Sequence, residues 1–179
     1  KFDVRLIGLS SLPRHRATVA IPTRCPPRLE RPDALQCLNE QPPAEVRAST
    51  DIPISTGESE FTRFAFRDLA ELRACDIFQP DLSICGGVTE AMRIEAIASA
   101  YQLRYAPHLW GGALTFAAGL HTMVVASTGF IVEYSLGANP MLHELAVEDF
   151  TIVDGYLDIP DRPGLGVTID EDFVEKYRV

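Results

Sequence analysis

The runs Ile52-Pro53-Ile54-Ser55, Asp76-Ile77-Phe78-Gln79, Arg104-Tyr105-Ala106-Pro107 and Phe130-Ile131-Val132-Glu133 recur along the chain at spacings of about 24, 28 and 26 residues. Each is short and apolar, as a buried strand is. Between the first two, Phe61, Ala65, Leu69 and Leu72 stand at helical spacing, with Arg63, Arg67, Asp68 and Glu71 on other faces. Between the second and third, a Gly86-Gly87 break and Thr89 as cap introduce Ala91, Ile94, Ala98 and Tyr101 at the same spacing. Residues Ala113 to Ala126 are small and apolar almost throughout, which predicts a helix buried on several sides.

Strand, loop, helix and strand at about 25 residues per unit predict repeated βα units and a parallel sheet. A doubly wound sheet and a (β/α)8 barrel both fit that pattern. The chain contains no Gly-x-Gly-x-x-Gly and no Gly-x-x-x-x-Gly-Lys-Ser/Thr, which removes the commonest nucleotide-binding reasons for a doubly wound sheet. An α/β barrel is therefore the expected fold, and an incomplete one. The 179 residues fall well short of the roughly 250 of a complete barrel.

Polar residues close each strand: Glu58 follows the first run, Asp81 the second, His108 the third, and Glu133 ends the fourth. Strand C-termini of a βα barrel line one shared mouth, where the active sites of this fold lie. Carboxylates with a His–Asp combination suit metal-assisted proton transfer, since Mg²⁺ takes carboxylate oxygens and an Asp-supported His is a tuned base. Each residue also has a plain reading. Glu58 fits a solvated helix start, Asp81 after Pro80 a turn or cap, His108 a loop or core histidine, and Glu133 a strand-end charge. Four such residues in phase with one repeat favour the shared site.

Composition bounds the rest. The net charge is −9 and the hydrophobic fraction 46%, values of a soluble, acidic globular chain rather than a disordered one. The acidic balance argues against nucleic acid as a partner, and no apolar run reaches the ~18 residues that cross a bilayer, so no membrane is expected. Cys25, Cys37, Cys75 and Cys85 form no Cys-x-x-Cys pair. Free thiols in a reducing, cytoplasmic compartment are the expectation. Charge and proline are skewed along the chain. Residues 1–50 hold eight Lys/Arg against five Asp/Glu, a net of +3, while the remainder carries −12. Seven of the thirteen prolines fall within the first 43 residues. The chain accordingly divides into a Pro-rich segment, 1–43, and a partial barrel, 44–179.

The stretch Asp51-Ile52-Pro53-Ile54-Ser55-Thr56-Gly57-Glu58, then Gln79-Pro80-Asp81 with Cys85-Gly86-Gly87-Val88-Thr89-Glu90, then Pro107-His108-Leu109-Trp110-Gly111, resembles the enolase superfamily. It is most similar to the mandelate racemase and muconate lactonizing subgroup, which includes acid-sugar dehydratases. Asn139-Pro140, Asp154-Gly155 and Pro163-Gly164-Leu165-Gly166 resemble that subgroup's C-terminal end.

The resemblance implies strands five to eight of an enolase-type barrel with its tail. It implies Glu58 as a metal ligand after the fifth strand, His108 as general acid/base after the seventh, and Asp81 as its hydrogen-bond partner. Glu133 becomes a substrate-binding residue, Gly86 and Gly87 structural glycines, and Trp110-Gly111 part of a sugar-acid pattern. Tyr105 and Tyr134 are further candidates to line the pocket. The implied chemistry is abstraction of the proton α to the carboxylate of a sugar acid, with Mg²⁺ stabilising the enediolate. Dehydration, racemisation and lactone cycloisomerisation all start this way.

The chain also departs from the family pattern. Its two lysines, Lys1 and Lys176, lie in no Lys-x-Lys motif, and Glu40 is the only carboxylate near the expected fourth-strand ligand. Asp3-Val4-Arg5-Leu6-Ile7 resembles a third strand but puts Leu9 where a ligand Asp belongs. Two readings follow. Either the chain is part of a Mg²⁺-dependent dehydratase, completed by further sequence or a homo-oligomeric partner at its open strand edges, or it is an inactive half-barrel that binds without turnover. The missing groups predict negligible net turnover by this chain alone.

Overall fold

The computed structural model describes residues 5–7, 19–20 and 43–178. Strands β1 (Arg5–Ile7) and β2 (Val19–Ala20) are followed by α1 (Pro43–Ala48), β3 (Ile54–Thr56), α2 (Thr62–Glu71), β4 (Ile77–Phe78) and α3 (Gly87–Ala100). Then come β5 (Arg104–Tyr105), α4 (Ala113–Val125), β6 (Ile131–Glu133), α5 (Pro140–His143), β7 (Ile152–Val153), β8 (Tyr156–Leu157) and α6 (Glu171–Lys176). The four apolar runs of the sequence are β3, β4, β5 and β6.

Strands β2, β3, β4 and β5 pair in parallel in that order. A bridge between Tyr105 and Gly129, with the Tyr105 amide donating to the Thr128 carbonyl at 3.0 Å, carries the arc on toward β6. On the far side of β6 lies β1, again parallel, with Leu6 opposite Val132. β1 falls within the stretch that resembles a third strand, and in this partial barrel it stands directly beside β6. β1 also meets β8 antiparallel, and β8 pairs with β7 as a hairpin.

Strand alternation sorts the side chains into two layers. Ile54, Phe78, Tyr105 and Val132 point outward and are buried under the helices. Ser55, Ile77, Gln79, Ala106, Ile131 and Glu133 line the concave side, around a cavity of about 380 Å³. Under α2 and α3 the outer layer is held by Phe66, Leu69, Ala91 and Ile94, with the Phe66 and Phe78 rings edge to face at 5.0 Å. Under α4, Phe116 and Leu120 close over Tyr105, Val132 and Leu157. Each large side chain so buried contributes roughly 1.5–3 kcal/mol.

The helices differ from the sequence pattern in face rather than in place. In α2 the buried residues are Phe66, Leu69 and Ala70, while Phe61 and Leu72 are the exposed flanking caps. Phe61 is extended and Leu72, still in the helical region, is the residue just past the last turn, so the buried stripe runs through Phe66, Leu69 and Ala70. α3 begins two residues before Thr89, with Gly86 as its left-handed cap residue, and buries Ala91, Ile94 and Ala98 as expected. α4 is buried at eight of its thirteen residues, the many-sided burial its composition predicts. Cys75 and Cys85 are free and buried, and burial pushes their thiols up to about 12 and about 11. No described helix is long and apolar enough to cross a membrane.

Candidate active site

His108 is carried just beyond β5 by a loop that continues the parallel ladder. Its backbone amide donates to the Pro80 carbonyl at 3.0 Å, and His108 and Asp81 form an isolated parallel bridge. Ladder and side chains therefore share one register: the imidazole Nδ1 lies 2.8 Å from Asp81 Oδ2. The other Asp81 oxygen accepts the Ser83 backbone amide at 2.7 Å and the Ser83 hydroxyl. Three donors on a carboxylate that is only 4% exposed fix its orientation.

The same contacts set the charges. Burial pushes the Asp81 carboxyl up, but the hydrogen bonds from His108 and Ser83 outweigh it and hold the group below its usual value. Burial pushes the His108 imidazole down, yet its bond to Asp81 and the negative charges of Glu133, Glu58 and Asp81 together raise it. An ionised carboxylate only accepts, so Nδ1 carries a proton toward Asp81. Nε2 is left as the exchangeable position. It faces Glu58 Oε2 at 3.5 Å.

Glu58 reaches this point because the chain turns sharply at Gly57, whose φ is +124°. A Cβ at Gly57 would also come within 2.5 Å of the Phe66 ring, so the turn and the core under it exclude any larger residue. Glu133, at the end of β6, accepts the Leu109 backbone amide at 3.1 Å and so ties the residue after His108 to the next strand. Trp110 is 63% exposed and lines the cavity together with Ser55, Gln79, Glu133 and Tyr134.

The structure thus brings Glu58, Asp81, His108 and Glu133 together at the C-terminal strand ends and sets Trp110 beside them. Glu40 lies outside the described residues. Tyr105 does not line the pocket: it is fully buried on the outer face, its hydroxyl 3.2 Å from that of Thr122 in α4. Alternation places Ala106, not Tyr105, on the concave side. Three polar residues escaped the sequence reading. Ser83 steadies Asp81, and the Ser55 hydroxyl donates to Gln79 Oε1 at 2.9 Å inside the cavity. The signal was available for the pair, since both share the inward parity of their strands.

A Mg²⁺ ion needs several oriented oxygens. Among the described residues no group of three or more His, Cys, Asp or Glu is arranged to hold a metal. Glu58 offers one carboxylate, and the described residues do not complete a site around it.

Residues 37–173 match the enolase C-terminal domain-like family. The D-galactonate dehydratase of Xanthomonas oryzae pv. oryzae is 39% identical over 137 residues, which are 73% of this chain and 36% of that protein. The D-galactonate dehydratase of Ralstonia pickettii is likewise 39% identical over 137 residues, with the same coverage. The chain spans little more than a third, 36%, of the length of these curated relatives. Among solved structures, the 3,6-anhydro-D-galactonate cycloisomerase from Zobellia galactanivorans superposes with a TM-score of 0.71 at 32% identity, over 76% of this chain and 38% of that one. An enolase from Agrobacterium radiobacter bound to Na and L-malate gives 0.68 at 31% identity, over 75% and 38%.

Proposed function

Because the chain belongs to the enolase C-terminal domain-like family, we propose that it supplies the His108 half of an acid-sugar dehydratase site, carried by residues 44–179. The observation that supports this most is the Asp81–His108–Glu58 array, in which Nδ1 is occupied at 2.8 Å and Nε2 alone faces the mouth.

The chemistry follows from that array. Neutral His108 takes the proton α to the substrate carboxylate at Nε2, and the C–H electron pair moves into the carboxylate as an enediolate. The resulting imidazolium lies beside the new negative charge and is itself stabilised by Asp81. Nε2 then returns its proton to the β-hydroxyl, which leaves as water while the enediolate electrons form the carbon–carbon double bond. The enol product tautomerises to a 2-keto acid. Trp110 offers an exposed side chain at the cavity, and Glu133 takes a substrate-binding position there while its Oε2 accepts the Leu109 amide. Glu58 takes one metal-ligand position in this reading, with the remaining ligands, Glu40 among the candidates, outside the described residues.

A second reading, binding of a sugar acid without turnover, draws on the lysines: of Lys1 and Lys176 neither lies in a Lys-x-Lys motif, and Lys176 stands in α6 over the Tyr177 ring. Net dehydration by this chain alone is accordingly expected to be negligible. The partial reaction separates the two readings. The chain is incubated with D-galactonate and related sugar acids in D₂O with Mg²⁺, and deuterium entering at the α carbon is followed by NMR. Exchange that disappears in His108→Asn supports the dehydratase reading. Calorimetric binding with no exchange supports the second, and exchange that survives His108→Asn overturns the role given to His108.

A further inference from the structure

Asn139, just before α5, contacts two parts of the chain at once. Toward α5 its Oδ1 accepts the Leu142 backbone amide at 3.3 Å, capping the helix. Toward the loop after His108, its Nδ2 donates to the Trp110 carbonyl at 3.3 Å and to the Gly111 carbonyl at 3.2 Å. Carbonyl oxygens only accept, so the amide nitrogen must be the atom on that side.

A second observation shows that the loop and α5 meet at backbone distance. A Cβ on Gly112 would stand 3.1 Å from the Met141 carbonyl. The far end of α5 is tied as well: His143 Nε2 donates to the Gly137 carbonyl at 3.2 Å, and Nδ1 accepts the Tyr134 hydroxyl at 3.3 Å. Tyr134, Leu136 and Gly137 line the same cavity as Trp110 and Glu133. The short helix therefore joins two walls of one cavity.

We propose that Asn139 is a positioning residue whose Nδ2 clamps the Trp110–Gly111 loop to α5 and so holds Trp110 as a fixed wall of the cavity. The loop is short and begins at His108, and the Leu109 amide already spans it to Glu133 at 3.1 Å. Asn139 supplies the second anchor, two residues further on. Only the consequence for a substrate rests on the proposed function; the clamp itself is read without one.

Trp110 is the only tryptophan of the chain, so its emission reports this loop alone. Time-resolved fluorescence anisotropy of the full chain is compared for wild type, Asn139→Asp, Asn139→Ser and Asn139→Ala. Asp and Ser keep an oxygen that caps Leu142. Asp turns a carboxylate on the two carbonyls, and the Ser hydroxyl is too short to reach both. The expected result is a nanosecond component of Trp110 motion with about twice the wild-type amplitude in all three variants. In the Asp and Ser variants the melting temperature stays near that of wild type. Should Asp fail to fold, Ser carries the same reading. Unchanged anisotropy in Asp and Ser overturns the clamp, as does loosening confined to Ala, which leaves Asn139 a helix cap only. Unfolding of all three variants also overturns it, since the effect is then global. Absence of α-carbon exchange in wild type removes the proposed function and leaves the anisotropy result standing.

Discussion

At the N-terminal ends of the parallel arc, Asp76 accepts Arg47 at 2.8 Å and the Ile54 amide at 2.9 Å. Nearby, Glu95 accepts the Ser127 hydroxyl at 2.8 Å and the Thr128 amide at 3.2 Å. At the C-terminal ends, Asp81, Glu58 and Glu133 converge on one imidazole. The residue types are the same at both ends. At the first, carboxylates meet an arginine, amides and hydroxyls, and they join strand to helix or loop. At the second, negative charges outnumber the single titratable cation, and against the opposing effect of burial the hydrogen bond to Asp81 and those charges together raise His108. One end of the sheet is closed by its own hydrogen bonds, and the other leaves His108 Nε2 facing Glu58 at 3.5 Å.

Substitutions at the two ends should consequently separate stability from chemistry. The largest effect is expected for His108→Asn, which removes the exchangeable nitrogen. Deuterium exchange at the α carbon should fall by about 10²-fold or more, while the melting temperature changes little. Glu95→Ala is the matching experiment at the closed end. It leaves Ser127 and Thr128 without their acceptor and should cost about 2 kcal/mol in urea unfolding, with the His108 titration unmoved. If Glu95→Ala displaced that titration, the two ends would not be independent.

The next effect is on pH dependence. His108 lies above 6.5 in the folded chain, so the stabilisation it draws from its partners is complete below 6.5 and is lost as pH rises through its folded value. Asp81 lies below 3.8, so its contribution is present above 3.8 and is lost as pH falls through its folded value. The pair stabilises the fold most between those limits. Asp81→Asn should lower the melting temperature within that interval and flatten the falls on either side of it, and a profile of wild-type shape would contradict the pairing. The smallest effect is expected for Glu58→Gln, whose carboxylate stands farther from His108, at 3.5 Å. It should lower the His108 midpoint slightly and remove any rise in melting temperature on adding Mg²⁺. A rise that persisted would take Glu58 out of the ligand set.

Strand spacing and the polar residue closing each run are local features, and they placed β3 to β6 and brought Glu58, Asp81, His108 and Glu133 to one mouth. Side-chain parity decides Tyr105, which is outward because Ala106 is inward, a consequence of the two-residue strand period. The face of α2 shifted because Phe61 and Leu72 lie outside the helix they flank. Asn139 stands in the tail that carries the resemblance, but its contacts were illegible for a different reason. Its partners lie 28 and 29 residues away, across a contact that only the packed loop and α5 create. The neighbour of β6 was likewise unreadable, since no local pattern says which strand closes beside the last.

The account rests on His108 being a raised, Asp81-oriented acid/base, and an NMR titration of its ring protons tests that most directly. The resonances of His108 are assigned by their absence in His108→Asn. The predicted result is a midpoint above 6.5 in wild type that falls in Asp81→Asn. A wild-type midpoint at or below 6.5, unmoved by Asp81→Asn, would contradict it.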